Sequence, residues 1–397
     1  MNKTATVYDV AAHAGVSIAT VSRVFRRPDD VRASTREHVL ASVRELGYVP
    51  NASARGLAAR RTGVLGLYFP DFDAVEDADN DPIADAAFGR EEEATDPPGD
   101  RATTPVDTPA RRPTPVEIVL DIPDSGRVRR PNLYFDEVLS GSELQAWRDG
   151  FTLMVGVGRG ANAADIVADI AGRVDGLALL AGSVSDATLE HLSRRIPIVL
   201  IAGARRDDDY DHVTVANTEG MHALTRHLID DLGVRDAVYV SGPQSTPDDG
   251  ERYEGYRRAL AESGIDAEAL AVYHGDFSRP RGREIAAEIL AAGRPPRALI
   301  CSNDQMALGI MEVLQARGVR IPDDTIVTGF DGIEDGRMST PRLTTVQQPM
   351  VKLGRAAMRV MRGRLEDPAQ PPIAVRLPVK LLLRESSEGA ATAPRRA

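Results

Sequence analysis

From Thr62 onward, short apolar runs alternate with amphipathic stretches, and this alternation constrains the chain more than any other feature. Strand-like runs fall at Val64–Phe69, Thr152–Val157, Gly176–Leu180, Ile198–Ala202, Ala237–Val240, Ala298–Cys301 and Ile326–Phe330. Helix-like stretches lie between them at Asp136–Arg148, Ala164–Ile170, Glu219–Asp231, Arg252–Ala261, Arg283–Leu290, Gln305–Ala316 and Lys352–Arg362. Strands buried on both faces are apolar throughout, and parallel neighbours are joined through crossover helices. The pattern predicts parallel α/β sheets with helices on both faces. A single core stops growing at about 250–300 residues, so two lobes are expected over 62–385.

The rhythm is absent at the N-terminus. Residues 4–47 read as three short helices: Val7–Ala14 with Gly15 as the turn, a second from the N-cap Ser17 to Val24, and a third. The third opens at Ser34, where Ser34-Thr35-Arg36-Glu37 has the form of a capping box, and stops at Gly47. Val7, Val10, Ala11, Ala14, Val21, Val24, Val39, Val43 and Leu46 recur at three- and four-residue spacing, enough for one small core. Pro50-Asn51 closes this unit, and the stretch 51–61 reads as a short helix or a linker. Residues 1–61 carry ten Lys/Arg against five acids, while the whole chain has a net charge of −11. A basic module on an acidic body points to a polyanion bound at one end.

The rhythm is also interrupted over 72–131. Residues 71–131 hold nine prolines and 16 acidic against 7 basic residues, a composition that reads as a largely disordered insert. Val116–Ile122 is an apolar island within it that could add a strand. The tail, 386–397, also reads as disordered. The single cysteine, Cys301, excludes a disulfide framework and a cysteine-rich metal site. MNKTATVYDV has no apolar signal region and no run is long enough to span a bilayer, so a cytoplasmic protein is expected.

The stretch TVYDVAAHAGVSIATVSRV, Thr6 to Val24, closely resembles the DNA-binding headpiece of the lactose/galactose repressor family, as does Thr35-Arg36-Glu37 followed by Leu46–Asn51. The resemblance continues over nearly the whole chain apart from the insert and tail. It implies an all-α helix-turn-helix headpiece over 1–50, a hinge over 51–61, and a two-lobed, periplasmic-binding-protein-like core that takes a small effector and dimerises. Elementary requirements agree. A helix entering the major groove needs small residues at the preceding turn, here Ala14-Gly15. It needs short polar groups for phosphates, here Ser17 and Thr20, with Thr6, Tyr8 and Ser22 nearby. Ile18 and Ala19 stand where the family reads bases, and could touch only thymine methyls or exclude bases. Arg23 can bond guanine bidentately or contact a phosphate. NASARGLAAR, 51–60, resembles the family's hinge helix, with Leu57 at the minor-groove wedge and Asn51, Ala54 and Arg55 beside it.

In the core, family matches recur where strands end, which is where open α/β sheets place ligands. Arg252 in RYEGY looks like the effector-binding arginine, and Phe277 in GDF like the aromatic that stacks on the ligand. Asn303 and Asp304 in SNDQMALG resemble residues that bond polar effector atoms, with helix capping as their plainer role. Phe277 has a plainer role in the core. Asp331 in GFD matches the ligand-binding carboxylate. Tyr134 and Phe135 in NLYF correspond to the segment lining the pocket from the first lobe. Two departures stand out: about 60 residues separate Pro70-Asp71 from that segment, and Ala216 precedes Asn217 where the family commonly has an acid. An arginine, carboxylates, an amide and an aromatic face suit a hydroxyl-rich ring.

Other signals are weaker. GVGRGA, 156–161, follows a strand as a dinucleotide loop would, but a tight turn explains it equally well. Asp77–Asp81 hints at a calcium loop, yet Pro82 occupies the required glycine position. His222 and His227 have neither metal-motif spacing, and Asp207–Asp211 reads as a solvated loop. No GxxxxGK or GxSxG occurs, and no nucleophile–base pair emerges, so neither an enzyme nor a cofactor or metal is expected. The reading is a dimeric regulator of a pseudo-palindromic operator on double-stranded DNA, controlled by a sugar-like effector. The alternative is a sugar receptor without DNA regulation. The tail has no leucine heptads, so a dimer rather than a tetramer is expected. Leu57→Ala should weaken specific DNA binding and spare non-specific binding; a filter-binding comparison showing equal loss in both would remove the hinge assignment.

Overall fold

The computed structural model describes residues 5–26, 28–48, 61–70, 133–158, 163–203, 208–243 and 246–388. The 51–60 hinge and the whole 72–131 insert, including Val116–Ile122, lie outside these residues.

The headpiece comprises α1 (Val7–His13), α2 (Ile18–Arg26) and α3 (Ala33–Glu45). Val10, Ala11, Ala14, Val21, Val24 and Val39 form its buried core, joined by Val7, Val43 and Leu46. Val21 and Val24 are thereby core residues. Gly15 makes the tight turn between α1 and α2 at φ +60, a conformation that other residues adopt at a cost. Where a capping box was expected at Ser34, α3 starts one residue earlier, with Arg32 in the cap position and no side-chain cap bond. The reciprocal box is at α1 instead, between Thr6 and Asp9.

The core holds two six-stranded sheets. With β1 (Val64–Phe69), β2 (Thr152–Val157), β3 (Gly176–Leu180), β4 (Ile198–Ile201), β5 (Asp211–Val215) and β11 (Ala374–Leu377), sheet A has the order β11-β5-β4-β3-β1-β2, every pair parallel. Helices α4 (Leu133–Arg148), α5 (Ala163–Ala171), α6 (Asp186–Ser193) and α12 (Met350–Glu366) cover it. Side-chain alternation divides its strands between two cores. Leu65, Leu67, Phe69, Val199 and Ile201 enter one; Tyr68, Ile198 and Leu200 enter the other.

Sheet B comprises β6 (Ala237–Ser241), β7 (Val272–His274), β8 (Ala298–Cys301), β9 (Ile326–Asp331), β10 (Thr344–Gln347) and β12 (Lys380–Leu382), in the order β12-β10-β9-β8-β6-β7. Only β12 runs antiparallel to its neighbour. Its helices are α7 (Asn217–Asp230), α8 (Pro247–Glu262), α9 (Arg279–Ala292), α10 (Asp304–Ala316) and the short α11 (Glu334–Met338). The chain passes between lobes at β5–α7, β10–α12 and β11–β12.

Two sequence expectations are corrected. Asp211 is not in a solvated loop. It is 1% exposed at the start of β5, paired through both oxygens with Arg364 and accepting from the Ile373 N–H. The tail expected to be disordered from 386 is ordered at its start, over 386–388. Ser386 is buried, donates to the Val327 carbonyl at 2.6 Å and accepts from Thr344 N at 2.8 Å, and Ser387 meets the Thr344 hydroxyl at 2.7 Å. Short polar residues reach backbone groups that sheet pairing leaves open, so a polar end can be an ordered one.

Two of the GVGRGA glycines, Gly156 and Gly158, have a packing reason. A Cβ on Gly156 would come within 2.1 Å of Ile170, and one on Gly158 within 2.1 Å of the Tyr68 hydroxyl. Replacing Arg364 by Met should strand the buried Asp211 carboxylate and cost about 3–5 kcal/mol in urea unfolding. A loss under about 1 kcal/mol would show that water reaches Asp211.

Candidate nucleic-acid interface and effector cleft

In the headpiece, the Ser17 hydroxyl accepts from Thr20 N at 3.1 Å and lies 2.9 Å from the Thr20 hydroxyl, closing the start of α2. Thr6 caps α1. With α2 anchored by Val21 and Val24, its opposite face presents Ile18, 41% exposed, with Ala19 and Arg23 also exposed and Ser22 half-buried. Tyr8 is 68% exposed. Large apolar side chains left in water beside an arginine on one small domain mark a contact surface. Asn51, Ala54, Arg55 and Leu57 lie outside the described residues.

The cleft is assembled at the carboxyl ends of the strands. Arg252, on α8, is 3% exposed. Its Nε donates to Asn217 Oδ1 at 2.9 Å and its Nη1 to the Ser302 carbonyl at 2.8 Å. Asp331 and Asp248 stand 3.9 and 3.7 Å from its terminal nitrogens. The guanidinium carbon lies 4.0 Å from the centre of the Phe330 ring and 5.9 Å from that of Phe277. Asp331 is held at φ +128 and Phe277 at φ +69, left-handed conformations costly for residues with side chains. The Gln348 amide donates to Asp331 Oδ1 at 2.7 Å, and its own Oε1 is buried without a partner. From lobe A, the Tyr134 hydroxyl is buried and unpartnered. Burial first, then the nearby Asp248 and Asp331 charges, push its ionisation far up, so it stays a neutral phenol.

The structure therefore brings together Arg252, Asp331, Phe277 and Tyr134. Phe135 instead stacks on Phe69, ring centres 4.7 Å apart, at the edge of the core. Asn303 takes the plainer role of helix cap, whereas Asp304, read as a second capping group, braces a loop instead. The Asn303 Oδ1 caps α10 through Met306 N at 3.0 Å, while its amide donates to the Phe277 carbonyl at 2.9 Å. Asp304 is wholly buried and accepts from Thr345, Gly332 and Ile333 at 2.6, 2.8 and 2.9 Å. It supports the loop after Asp331 from beneath. Sequence reasoning missed Asp248, Asp249, Asn217 and Gln348 as members of the site. Asp248 stands one helical turn before Arg252, a signal that was available. Asp249 is buried and accepts from Gly242 N at 2.7 Å and from the Ser302 hydroxyl, linking β6 to β8.

Known proteins match this architecture. Residues 6–51 match "Bacterial regulatory proteins, lacI family", and residues 225–387 match "Periplasmic binding protein-like domain". Catabolite control protein A of Priestia megaterium is 30% identical over 386 residues, covering 96% of this chain and 99% of that protein. This chain belongs to the lacI family. It is a sequence-specific DNA-binding transcriptional regulator whose operator affinity answers to a small effector, as the headpiece resemblance implied, and not an enzyme. The alternative of a receptor without DNA regulation gives way to this. The transcriptional regulator CelR, solved with cellobiose, is 26% identical, with a TM-score of 0.62 over 96% of this chain and 99% of that one. The lac repressor dimer bound to operator and an anti-inducer shares the fold, with 24% identity and a TM-score of 0.72 over 97% and 99% of the two chains.

Burial raises the Asp331 carboxyl strongly, against the Arg252 charge and with Asp304 adding to the rise. An acid raised on folding holds its proton in the native state after the unfolded chain has released it. Its contribution is present below the unfolded value and lost as pH climbs towards the folded one. Wild-type protein should lose more stability than Asp331→Asn between about pH 4 and 8, read by chemical denaturation. Parallel pH profiles would show that Asp331 is ionised throughout.

Proposed function

We propose that the protein is a cytoplasmic, homodimeric repressor whose two headpieces read a pseudo-palindromic operator and whose cleft takes a sugar-like effector. The observation that carries the effector reading is the convergence of Tyr134 from lobe A with Arg252, Asp248 and Asp331 from lobe B on one buried polar spot. A ligand bound there touches both lobes and so favours one arrangement of them over another. Carboxylates, a phenol and the Phe277 ring suit a hydroxylated ring, and the related regulator CelR holds cellobiose. In the headpiece, Ile18, Ala19 and Arg23 read bases, while Thr6, Tyr8, Ser17, Thr20 and Ser22 meet the backbone. Asn51, Ala54, Arg55 and Leu57 enter the minor groove. Effector binding lowers operator affinity. Self-association is supported by β2, an edge strand that leaves Val155 41% and Val157 46% exposed.

The test is affinity selection of genomic fragments by the full chain at near-physiological salt, beside a chain lacking residues 1–61. Enrichment of a short pseudo-palindrome is expected. An enriched site without two-fold repetition would remove the dimer, and no enrichment over the control would remove the operator reading. Arg23→Ala should weaken the selected site by about 1–3 kcal/mol and relax one base position.

A further inference from the structure

Where the headpiece linker joins lobe A, the chain is fastened by bonds that no sheet ladder requires. β1 is flanked by β2 and β3 from its first two residues, so its own direction is already set. Just before it, Asp175 at the mouth of β3 takes three donors. Thr62 N at 2.5 Å and the Thr62 hydroxyl at 2.9 Å donate to Oδ1, and Gly63 N at 2.8 Å donates to Oδ2. Both carboxylate oxygens are thereby spent on the two residues between the linker and the strand. The Thr62 hydroxyl also accepts from Val64 N at 3.1 Å. Gly63 turns at φ +72 with nothing within 4 Å of a Cβ position, so glycine serves its conformation there rather than its small size. Arg61 crosses to the far end of α12 and donates to the Leu365 carbonyl. Carbonyls in the last turn of a helix lack intrahelical partners and carry the negative end of its dipole, which suits a cation.

The two fastening points are held against one another. Gly176, next to Asp175, lies so close to α12 that a Cβ there would come within 2.2 Å of the Met361 sulfur. Arg364, one residue before Leu365, is paired with the buried Asp211. Every partner named belongs to lobe A. We infer that Asp175 and Arg61 are positioning residues for operator recognition. With the end of α12 they form a socket that fixes the direction in which the linker leaves lobe A, and so the separation of the two headpieces in the proposed dimer. The inference rests on the paired-headpiece reading above and specifies what sets the pairing distance. α12 opens two residues after Gln348, whose amide holds Asp331, and runs 17 residues to the socket, about 24 Å. Cleft and socket thus stand at opposite ends of one helix.

The test measures the affinity of the full-length protein for its selected DNA fragment and for two derivatives, with one base pair inserted or removed at the centre of the pseudo-palindrome. Wild-type protein should bind both derivatives about tenfold more weakly or worse, because fixed exits demand one half-site separation. Asp175→Ala should bind the original fragment about tenfold more weakly, the scale of leaving one more residue's backbone to be ordered on binding, and should narrow the gap between fragments to about threefold or less. Its non-specific affinity should stay unchanged, since the headpiece surface is intact. Arg61→Ala, at an exposed position that leaves the core alone, should narrow the gap in the same direction. Loss of a phosphate contact by Arg61 would instead weaken all three fragments equally, so the gap separates positioning from contact. A wild-type gap that survives in both variants, with or without a uniform loss, would overturn the socket. If Asp175→Ala fails to fold, Arg61→Ala decides by the same criterion. Wild-type protein indifferent to spacing would overturn the paired-headpiece reading, and this inference with it.

Discussion

A guanidinium taken almost wholly out of water must have its donors answered, because an unpaired buried charge costs several kcal/mol. Arg252 meets that demand with groups from separate parts of lobe B: Asn217 at the β5–α7 passage, the Ser302 carbonyl after β8, Asp331 at the end of β9, and the Phe330 ring. One side chain thus ties the strand ends together. Arginine suits the task, since its planar fork offers several donors at once and its face can lie against an aromatic ring.

Around that tie lies a supporting layer. Asp249 holds the turn after β6 to Ser302, and Asp304 holds Gly332 and Ile333 to Thr345. Asn303 does two jobs, capping α10 and holding the Phe277 backbone. These bonds keep Asp331 and Phe277 in conformations that would otherwise relax. Lobe B therefore presents a pre-organised polar surface. Preorganisation lowers the ordering cost of binding.

Lobe A contributes fewer groups to this polar spot, and part of the spot also belongs to the junction between the lobes. Gly203, just past β4, donates to Asp248 Oδ1 at 2.7 Å, and Asp248 also accepts the Asn217 amide at 2.9 Å. The same carboxylate thus belongs to the cleft and to the junction between lobes. The three passages between lobes are short, so a relative rotation concentrates in a few residues. A ligand touching Tyr134 and Asp331 acts on that rotation.

The sequence by itself determined the type of every element built on a strong period. The apolar runs at Leu65–Phe69 and Ile198–Ile201 are strands because both faces are buried. The headpiece's helices and small core were legible, though not the start of α3, because Gly15, Ser17 and the spacing of Val10, Ala14, Val21 and Val24 act within a few turns of one another. Arg252, Asp331, Phe277 and Tyr134 were singled out as candidates through resemblance, and the structure brings them together. Tertiary structure decided what depends on distant partners. β5 and β10 begin with polar residues and were missed, because their burial comes from neighbours such as Arg364 and Ser386 that lie 153 and 42 positions away. The roles of Asn303, Asp304 and Phe135 were decided there too. Whether a buried carboxylate or amide faces a ligand or braces a loop depends on which backbone donors surround it, and no local pattern encodes that.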